Sequence, residues 1–357
     1  MSFRTLIVSI ILLQLTAHAA LAERGLKVRD GKVDRTILPL GYSSHEILGL
    51  ARNGEMLQLD PRKMKDPQVV PRFRGYSQGE MRGDLLKEFG KSFEVTGTGN
   101  YLVVHPKGSR DLWANRFEEL YRSMVHFFKQ RGYHVSKPQF PLVGIVFYSK
   151  AQYQKYCSRV LKTNASNTYG VYMPQTNRIY LYDATQGKGK KSREWEENLA
   201  TVMHEAAHQT AFNVGVHTRY GGTPVWVIEG LGCLFEAEGI YDAFHHRKQE
   251  ERLNPGRLRY FKSIKDSGNL ESFLMGIVAS DKKFRQDLGK SYAAAWALTF
   301  YLSEKQPRDY IRFLKKTSKV GPYDKYSDSD RVRDFRMIFG KDTKMLTTRV
   351  SRFVDDL

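Results

Sequence analysis

The chain has 357 residues, of which 41% are hydrophobic, and its 57 Lys and Arg residues against 38 Asp and Glu residues give a net charge of +19. This length and hydrophobic content suit one large domain, alone or with a small module. The charge is typical either of a solvated basic surface, which we favour, or of a surface for anionic partners such as cell-envelope polymers, acidic polypeptides or nucleic acid. Because the basic residues are spread out and no nucleic-acid-binding motif accompanies them, we expect no specific nucleic-acid partner.

The first residues have the pattern of an export signal. Arg4 supplies a positive start, residues 6–15 form an almost unbroken apolar run, and Ala-Leu-Ala at 20–22 is a small-x-small cleavage site. The apolar run is about half of the roughly 20 residues that a membrane-spanning helix needs, and no other segment is apolar enough to span. We therefore predict a signal peptide over residues 1–22 and a periplasmic or secreted mature protein without a membrane span.

The segment after the signal is polar, interrupted by Gly and Pro, and only weakly periodic. Within it, HEILGLARNGEMLQLDP (45–61) has two alternating runs on either side of Asn53-Gly54, a dipeptide typical of tight hairpin turns. We predict a small β-rich N-terminal module or arm over residues 23–90 that contains this hairpin.

The next elements in the chain are a strand, a long helix and a second strand. YLVVHP (101–106) and LVGIVFY (142–148) have the composition of buried strands. Between them, apolar residues recur every three or four positions over residues 113–127. This spacing predicts a helix that Ser109 caps and Gly132 ends.

A second hairpin and a run of helices complete the predicted domain. TYGVYM and RIYLYD flank residues 174–177 as the two strands of the hairpin. A helix is predicted from about 193 to 213, and mostly helices follow. The order predicts an α+β domain over residues 91–320 with an early sheet and late helices, and then a C-terminal helical tail over residues 321–357.

Two histidines four residues apart lie in the predicted helix of residues 193–213. His204 and His208 therefore share one face of the helix and can present both imidazoles to one zinc ion at about 2.0–2.1 Å. Glu205 lies beside them, where its carboxylate can take a proton from a metal-bound water. The alternative is a helix that holds two histidines by chance.

A third candidate ligand follows in TPVWVIEGLG. Catalytic zinc sites usually have three protein ligands and one open position. Twenty residues separate His208 from Glu229. Thr223 suits an N-cap and Pro224 suits the first helical position, so Glu229 is predicted on the second turn of a new helix. If the chain turns back after the first helix, the new helix can bring the Glu229 carboxylate close to the two histidines.

These residues together resemble a known clan of peptidases. HExxH followed by glutamate in a Pro-x-Trp-x-x-Glu-Gly setting is similar to the gluzincins, which include thermolysin and the zinc aminopeptidases. The resemblance implies a thermolysin-like zinc peptidase domain with a small mixed sheet, one Zn²⁺ per chain, the ligands His204, His208 and Glu229, and Glu205 as general base. The loop between the second histidine and the glutamate is slightly longer here than in the aminopeptidases.

A downstream helix extends the resemblance. SYAAAWALTFYL (291–302) resembles the aminopeptidase helix whose leading tyrosine stabilises the oxyanion of the tetrahedral intermediate. The resemblance implies this role for Tyr292. A phenol near the metal can donate a hydrogen bond to the negative charge that develops in the transition state. The alternative is a core helix with an aromatic residue at its start.

One part of the sequence departs from the aminopeptidase pattern. A Gly-x-Met-Glu-Asn strand in those enzymes carries a glutamate that binds the α-amine of the substrate. The matching place here has Gly170 and Met173 but Pro174 and Gln175 where the acid is expected. An edge strand there can still bind an extended peptide by β-addition. The missing acid favours an endopeptidase over an aminopeptidase.

A wider stretch, from about residue 93 to 302, resembles a set of exported bacterial proteins with a zinc-peptidase-like domain. In those proteins a sequence similar to HQTAFNVG (208–215) follows the metal histidines. This resemblance supports the fold and the zinc site and implies no substrate.

Several polar residues near the motif are open to two interpretations. His217 is either a solvated loop residue or part of a lid, and Glu236 is expected on a helix surface. Cys233 is either a buried small residue or a neighbour of the metal, and it either pairs with Cys157 or remains a separate thiol. The basic loop at residues 188–191 is expected to form a flap near the cleft.

The sequence therefore predicts an exported zinc metallopeptidase that acts as an endopeptidase on polypeptides, with a zinc-activated water and Glu205 as general base. Two alternatives remain. One is a binding module on a peptidase-like scaffold for anionic cell-envelope polymers. The other is a zinc amidase that acts on cell-wall peptide. The substrate and the oligomeric state stay open.

Overall fold

A computed structural model describes residues 24–30, 33–108, 110–165, 168–184 and 193–357. The predicted signal peptide, Ser109 and the basic loop at 188–191 lie outside the described residues. The described chain is a mixed α/β protein whose ten strands form two separate five-stranded sheets. None of the helices in these ranges is long and apolar enough to cross a lipid bilayer.

The first sheet is built from the N-terminal module and is antiparallel throughout, in the order β4-β3-β2-β1-β5. Its strands are β1 (Gly25–Asp30), β2 (Val33–Tyr42), β3 (Ile47–Ala51), β4 (Met56–Leu59) and β5 (Met64–Val70). The predicted hairpin is confirmed, because Leu50 pairs with Met56 across the Asn53-Gly54 turn. Gly54 has a φ of +85°, a conformation that glycine adopts without steric cost.

The second sheet has the order β6-β7-β8-β10-β9, with parallel pairs in the centre and antiparallel pairs at both edges. Its strands are β6 (Phe93–Gly97), β7 (Tyr101–Pro106), β8 (Leu142–Phe147), β9 (Gly170–Met173) and β10 (Arg178–Tyr182). The central strand β8 is apolar at every position because both of its faces are covered. Strand β9 lies at one edge of the sheet and pairs antiparallel with β10, which confirms the second predicted hairpin.

Helices make up most of the rest of the described chain. They are α1 (Gln78–Phe89), α2 (Arg110–Gln130), α3 (Lys150–Tyr156), α4 (Arg193–Asn213), α5 (Val225–Leu234), α6 (Glu238–Tyr241), α7 (Pro255–Asp266), α8 (Leu270–Ala279), α9 (Lys282–Gln286), α10 (Leu288–Lys305), α11 (Pro307–Thr317), α12 (Asp328–Phe339) and α13 (Thr343–Asp355). A π-helical turn (Cys157–Leu161) continues α3, and a 3₁₀ turn (Gln249–Arg252) precedes α7.

Helices cover both faces of the second sheet. On one face, α2 and α4 pack on the strands and join the main core, which continues into the C-terminal helices. On the other face, α1 and α3 bury a smaller cluster against the sheet. Cys157 belongs to this smaller cluster and Cys233 to the main core, and both are buried free thiols.

The C-terminal helices pack as part of the main core. Helix α10 runs through its centre and contacts α5, α7 and α8. Helices α12 and α13, from the segment predicted as a tail, bury Phe335, Leu346 and Val350 in the same core. The helices of residues 328–355 are therefore integrated with the domain that contains the histidine motif.

The N-terminal module docks on the second sheet through its β3–β4 hairpin. Met56 donates its backbone N–H to the carbonyl of Gln175, just beyond the end of β9, at 2.7 Å. The Nη2 atom of Arg219, in the loop after α4, donates to the carbonyl of Gly54 at 2.8 Å. The hairpin therefore contacts both the turn after the edge strand and the loop that follows the histidine helix.

Candidate metal centre

Helix α4 carries both histidines of the motif on one buried face. The Nε2 atoms of His204 and His208 lie 2.9 Å apart, and the two rings are nearly perpendicular. Both Nε2 atoms approach the same Oε2 atom of Glu229, at 3.2 Å from His204 and 3.3 Å from His208. Three potential ligand atoms therefore converge on one point, and such a group can hold a metal ion.

Glu229 reaches this point from the second turn of α5, although the start of that helix differs from the prediction. The helix begins at Val225, so Pro224 occupies the capping position, and the hydroxyl of Thr223 has no hydrogen-bond partner among the described residues. Asp281 instead accepts the backbone N–H of Val225 at 3.2 Å. The predicted local cap was wrong because a carboxylate distant in sequence satisfies this N–H group.

The close approach of α5 to α4 depends on a glycine. A Cβ atom on Gly232 would lie 2.8 Å from the Cε1 atoms of both His204 and His208. Such contacts are shorter than real Cβ atoms make, so the two imidazoles occupy the space that any larger residue would need. The glycines of Glu-Gly-Leu-Gly were visible in the sequence, but this role depends on a contact between two helices.

Glu236 also contacts the cluster, and its predicted place on a helix surface was wrong. Its Oε1 atom lies 2.8 Å from Nδ1 of His204 and accepts from Nη2 of Arg257 at 2.9 Å. Asn254 donates to its other oxygen. Burial would raise the pKa of Glu236, but the bond from His204 and the charge of Arg257 outweigh it and lower that pKa to about 2. A carboxylate that accepts the second ring N–H of a metal-binding histidine fixes the tautomer and the orientation of the ring.

Glu205 lies between the histidine helix and the edge strand of the second sheet. Its Oε2 atom accepts the backbone N–H of Tyr172, in β9, at 2.5 Å. This N–H group therefore points towards helix α4 and away from the partner strand β10. The free edge of β9 and the carboxylate of Glu205 border the same space.

Tyr292 enters from α10 and stacks on one of the histidines. The centroids of the Tyr292 and His204 rings lie 6.1 Å apart, with 26° between the ring planes. The guanidinium of Arg257 lies 5.0 Å from the centroid of the Tyr292 ring. Burial and the nearby Glu229 carboxylate raise the pKa of Tyr292, so its hydroxyl keeps its proton and can donate a hydrogen bond.

The predicted solvent exposure of His217 was wrong. Its side chain is buried with 2% exposure, and its ring meets the Phe212 ring edge-on at 5.5 Å between centroids. Neither ring nitrogen has a hydrogen-bond partner among the described residues. Burial and the nearby His208 lower the pKa of His217 to about 3, so the ring is neutral. No local sequence pattern indicates this burial, because it depends on how the loop after α4 folds back.

A second group of potential ligands shares one histidine with the first. His204, Cys233 and Glu236 also bring their ligand atoms close together. In this second group, Glu236 is already held by Arg257 and Asn254. The set of His204, His208 and Glu229 is therefore the better candidate for a metal.

The described residues thus define a mixed α/β protein with a buried cluster of histidine and glutamate beside the edge of a sheet. In sequence, residues 198–324 match a family described as "Protein of unknown function (DUF1570)". The matched segment includes the two histidines, Glu205, Glu229 and Tyr292. No curated protein matches the chain. The match covers the part of the chain that contains the cluster and carries no activity with it.

Proposed function

We propose that the protein is an exported zinc metallopeptidase with a thermolysin-like catalytic domain. The observation that carries the proposal is the convergence of His204, His208 and Glu229, with separations of 2.9 to 3.3 Å between their ligand atoms. A tetrahedral zinc ion with Zn–N distances of about 2.0–2.1 Å places its ligand atoms about 3.3 Å apart. The donor set of two imidazoles and one carboxylate also suits a catalytic zinc with an open fourth position.

His204, His208 and Glu229 would hold the metal, which when bound lowers the pKa of a coordinated water and polarises the substrate carbonyl. Glu205 accepts the proton of the attacking water and passes it to the leaving amine. Tyr292 donates its phenolic hydrogen to the oxygen on which negative charge develops. Each role follows from the position of the side chain around one shared point.

The edge strand β9 supplies a place for an extended peptide. Its outer edge faces Glu205, and a peptide that adds to this edge as a further strand gains backbone hydrogen bonds without a demand on side-chain identity. The turn after β9 carries Pro174 and Gln175 and no acid that would bind a free α-amine. We therefore propose that the protein cleaves bonds within polypeptides and does not mainly release single amino acids from the N-terminus.

Two variants of the mature protein test this proposal. His208→Ala should lower the zinc content from about one per chain to near zero, since it removes one of three ligands. Glu205→Gln should keep both the zinc and the fold and should lower peptide hydrolysis by about 10²- to 10⁴-fold, since the amide cannot take the proton.

The control is Glu238→Gln, which changes a carboxylate that is 54% exposed and outside the cluster. It should leave both zinc content and hydrolysis unchanged. The measurements are elemental analysis and a mass-spectrometric digest of a mixed peptide library. Equal zinc in wild type and His208→Ala would refute the ligand assignment, and full activity of Glu205→Gln would refute the mechanism. A zinc-loaded wild type that cleaves no peptide would refute the peptidase proposal.

A further inference from the structure

Arg219, in the loop after α4, has no carboxylate partner among the residues that the structure describes. Arg219 donates through Nη2 to the carbonyl of Gly54, but its Nη1 atom is shielded from solvent and has no hydrogen-bond partner among the described residues. Within the same ranges no carboxylate forms an ion pair with it. A guanidinium has five N–H donors in a planar fork that matches a carboxylate, and leaving such a group buried without a counter-charge is costly.

Arg219 lies beside the residue that connects β9 to the candidate base. Burial lowers the pKa of Arg219, and interactions with the hydroxyls of Tyr172 and Tyr220 partly offset this effect. The backbone N–H of the same Tyr172 donates to Glu205. One residue of the edge strand is therefore in contact with both the guanidinium and the candidate catalytic carboxylate.

His217 is a second side chain near Tyr172 with ring nitrogens that have no hydrogen-bond partner in the described part of the chain. Its ring contacts Phe212, and the Phe212 ring stacks on Tyr172 with 5.7 Å between centroids. The charges of His208 and Glu229 also influence the pKa of His217. Among the described residues, the Nη1 atom of Arg219 and both ring nitrogens of His217 have no hydrogen-bond partner, and both side chains lie beside the stacked pair of Tyr172 and Phe212.

The N-terminal hairpin closes the space at this end of the strand. Met56 binds the carbonyl of Gln175, so the hairpin lies directly beyond the last residue of β9. A Cβ atom on Gly54 would lie 3.2 Å from the ring of Phe140 and 3.4 Å from the side-chain amide of Asn177, which shows how closely the hairpin tip is packed. A peptide that extends along β9 therefore meets a wall that contains Arg219.

We propose that Arg219 and His217 form a subsite for a carboxylate of the peptide substrate, at the end of β9 where the N-terminal hairpin docks. This proposal rests on the proposed peptidase function and adds a substrate class to it. Arg219 supplies the charge and the paired donors, and the neutral ring of His217 supplies one further N–H. The carboxylate belongs either to an acidic side chain or to the C-terminus of the peptide.

Equilibrium binding to the Glu205→Gln variant tests the subsite without cleavage. The probes are short fluorescent peptides of Ala, Leu and Thr in which one Glu is moved through every position, each paired with the same peptide that contains Gln. Every peptide is made with a free and with an amidated C-terminus. A preference for Glu at one position indicates a side-chain carboxylate, and a preference for the free over the amidated form indicates the terminal one.

We expect the favoured carboxylate to strengthen binding by about tenfold or more over its amide, since charge-assisted hydrogen bonds are the strong ones. Adding Arg219→Gln should abolish this preference. The matched control is Arg52→Gln, which removes the same charge from the same hairpin region, where Arg52 binds Glu80 at 2.7 Å and the carbonyl of Arg74 at 3.0 Å. The control should retain the preference.

Three outcomes would overturn the subsite. They are equal binding of carboxylate and amide peptides, an unchanged preference after Arg219→Gln, and the absence of binding by any peptide. A uniform loss of affinity for all peptides, together with a lower melting temperature, would show that Arg219 only holds the hairpin. Failure of the peptidase function is distinguishable, because a carboxylate preference in binding can persist in a protein whose wild type cleaves nothing.

Discussion

Individual residues around His204 hold its imidazole ring in place in the candidate metal centre. His204 directs Nε2 towards Glu229 and His208, and its Nδ1 atom lies 2.8 Å from Glu236. Arg257 and Asn254 in turn hold Glu236. The ring of His204 is therefore held in one orientation, with its Nε2 atom facing the other two candidate ligands.

The first prediction concerns this outer carboxylate. Glu236→Gln should lower zinc affinity by about 10- to 100-fold, because the amide is a weaker acceptor for His204 and no longer neutralises Arg257. Competition with a chromophoric chelator measures the dissociation constant, and Glu238→Gln serves as the control. An affinity equal to that of wild type would show that Glu236 does not orient the histidine.

The second prediction concerns acid stability and His217. The folded-state pKa of about 3 lies below the ordinary histidine value of about 6.5, so below pH 6.5 the unfolded state binds a proton that the folded state does not. This contribution to stability is present above pH 6.5 and is lost as the pH falls towards 3. As the pH falls from 6 to 4, the neutral His217 should therefore lower the free energy of unfolding by about 1.4 kcal/mol per pH unit.

His217→Leu should remove that dependence, whereas His126→Leu, at an exposed position, should retain it. Urea denaturation at pH 7.5, 6 and 5 gives the free energy of unfolding of each protein. Parallel pH profiles of wild type and His217→Leu would contradict the burial of a neutral histidine at this place.

Among the elements, the pair α5 and α10 brings together the two halves of the site. Helix α5 carries Glu229 and α10 carries Tyr292, and the two helices touch at Gly230. A Cβ atom there would lie 2.2 Å from the hydroxyl of Thr299 and 2.6 Å from the carbonyl of Ala295. The absence of a side chain at this position therefore sets the distance between the third ligand and the tyrosine.

Gly230→Ala should lower the free energy of unfolding by about 1–3 kcal/mol, since the extra methyl group forces the helices apart. Gly83→Ala is the control, because a Cβ atom at Gly83 in α1 meets nothing within 4 Å. The control should raise stability by about 0.5–1 kcal/mol through helix propensity. Urea denaturation compares the two, and a neutral Gly230→Ala would argue against the close contact.

For the whole molecule, the dominant physical property is its positive charge. Removal of the predicted signal peptide lowers the net charge only from +19 to +18, because Arg4 is its only charged residue. Such a field attracts acidic chains over distances that depend on salt, with a screening length of about 30 Å at 0.01 M and about 8 Å at 0.15 M.

If the peptidase proposal holds, the KM for an acidic unfolded polypeptide should rise by about tenfold or more between these two salt concentrations. The KM for a neutral polypeptide of the same length should change little. Initial rates measured by peptide mass spectrometry give both values. An equal response of the two substrates would show that the overall charge does not guide binding.

The features that the sequence by itself determined are those that short-range patterns encode. The spacing of His204 and His208 places both on one helix face, Asn53-Gly54 specifies a tight hairpin turn, and continuous apolar runs mark buried strands such as β8. The structure confirms each of these elements. In all of them, the information lies within a few residues of the chain.

Tertiary structure alone decided the contacts that complete the candidate site. Asp281 binds the start of α5, Glu236 turns inward to His204, His217 is buried, and Arg219 reaches the N-terminal hairpin. Most of these contacts join residues that lie far apart in sequence and belong to different elements. No local period records which element packs against which, so the roles of these residues follow only from how the helices and the two sheets pack together.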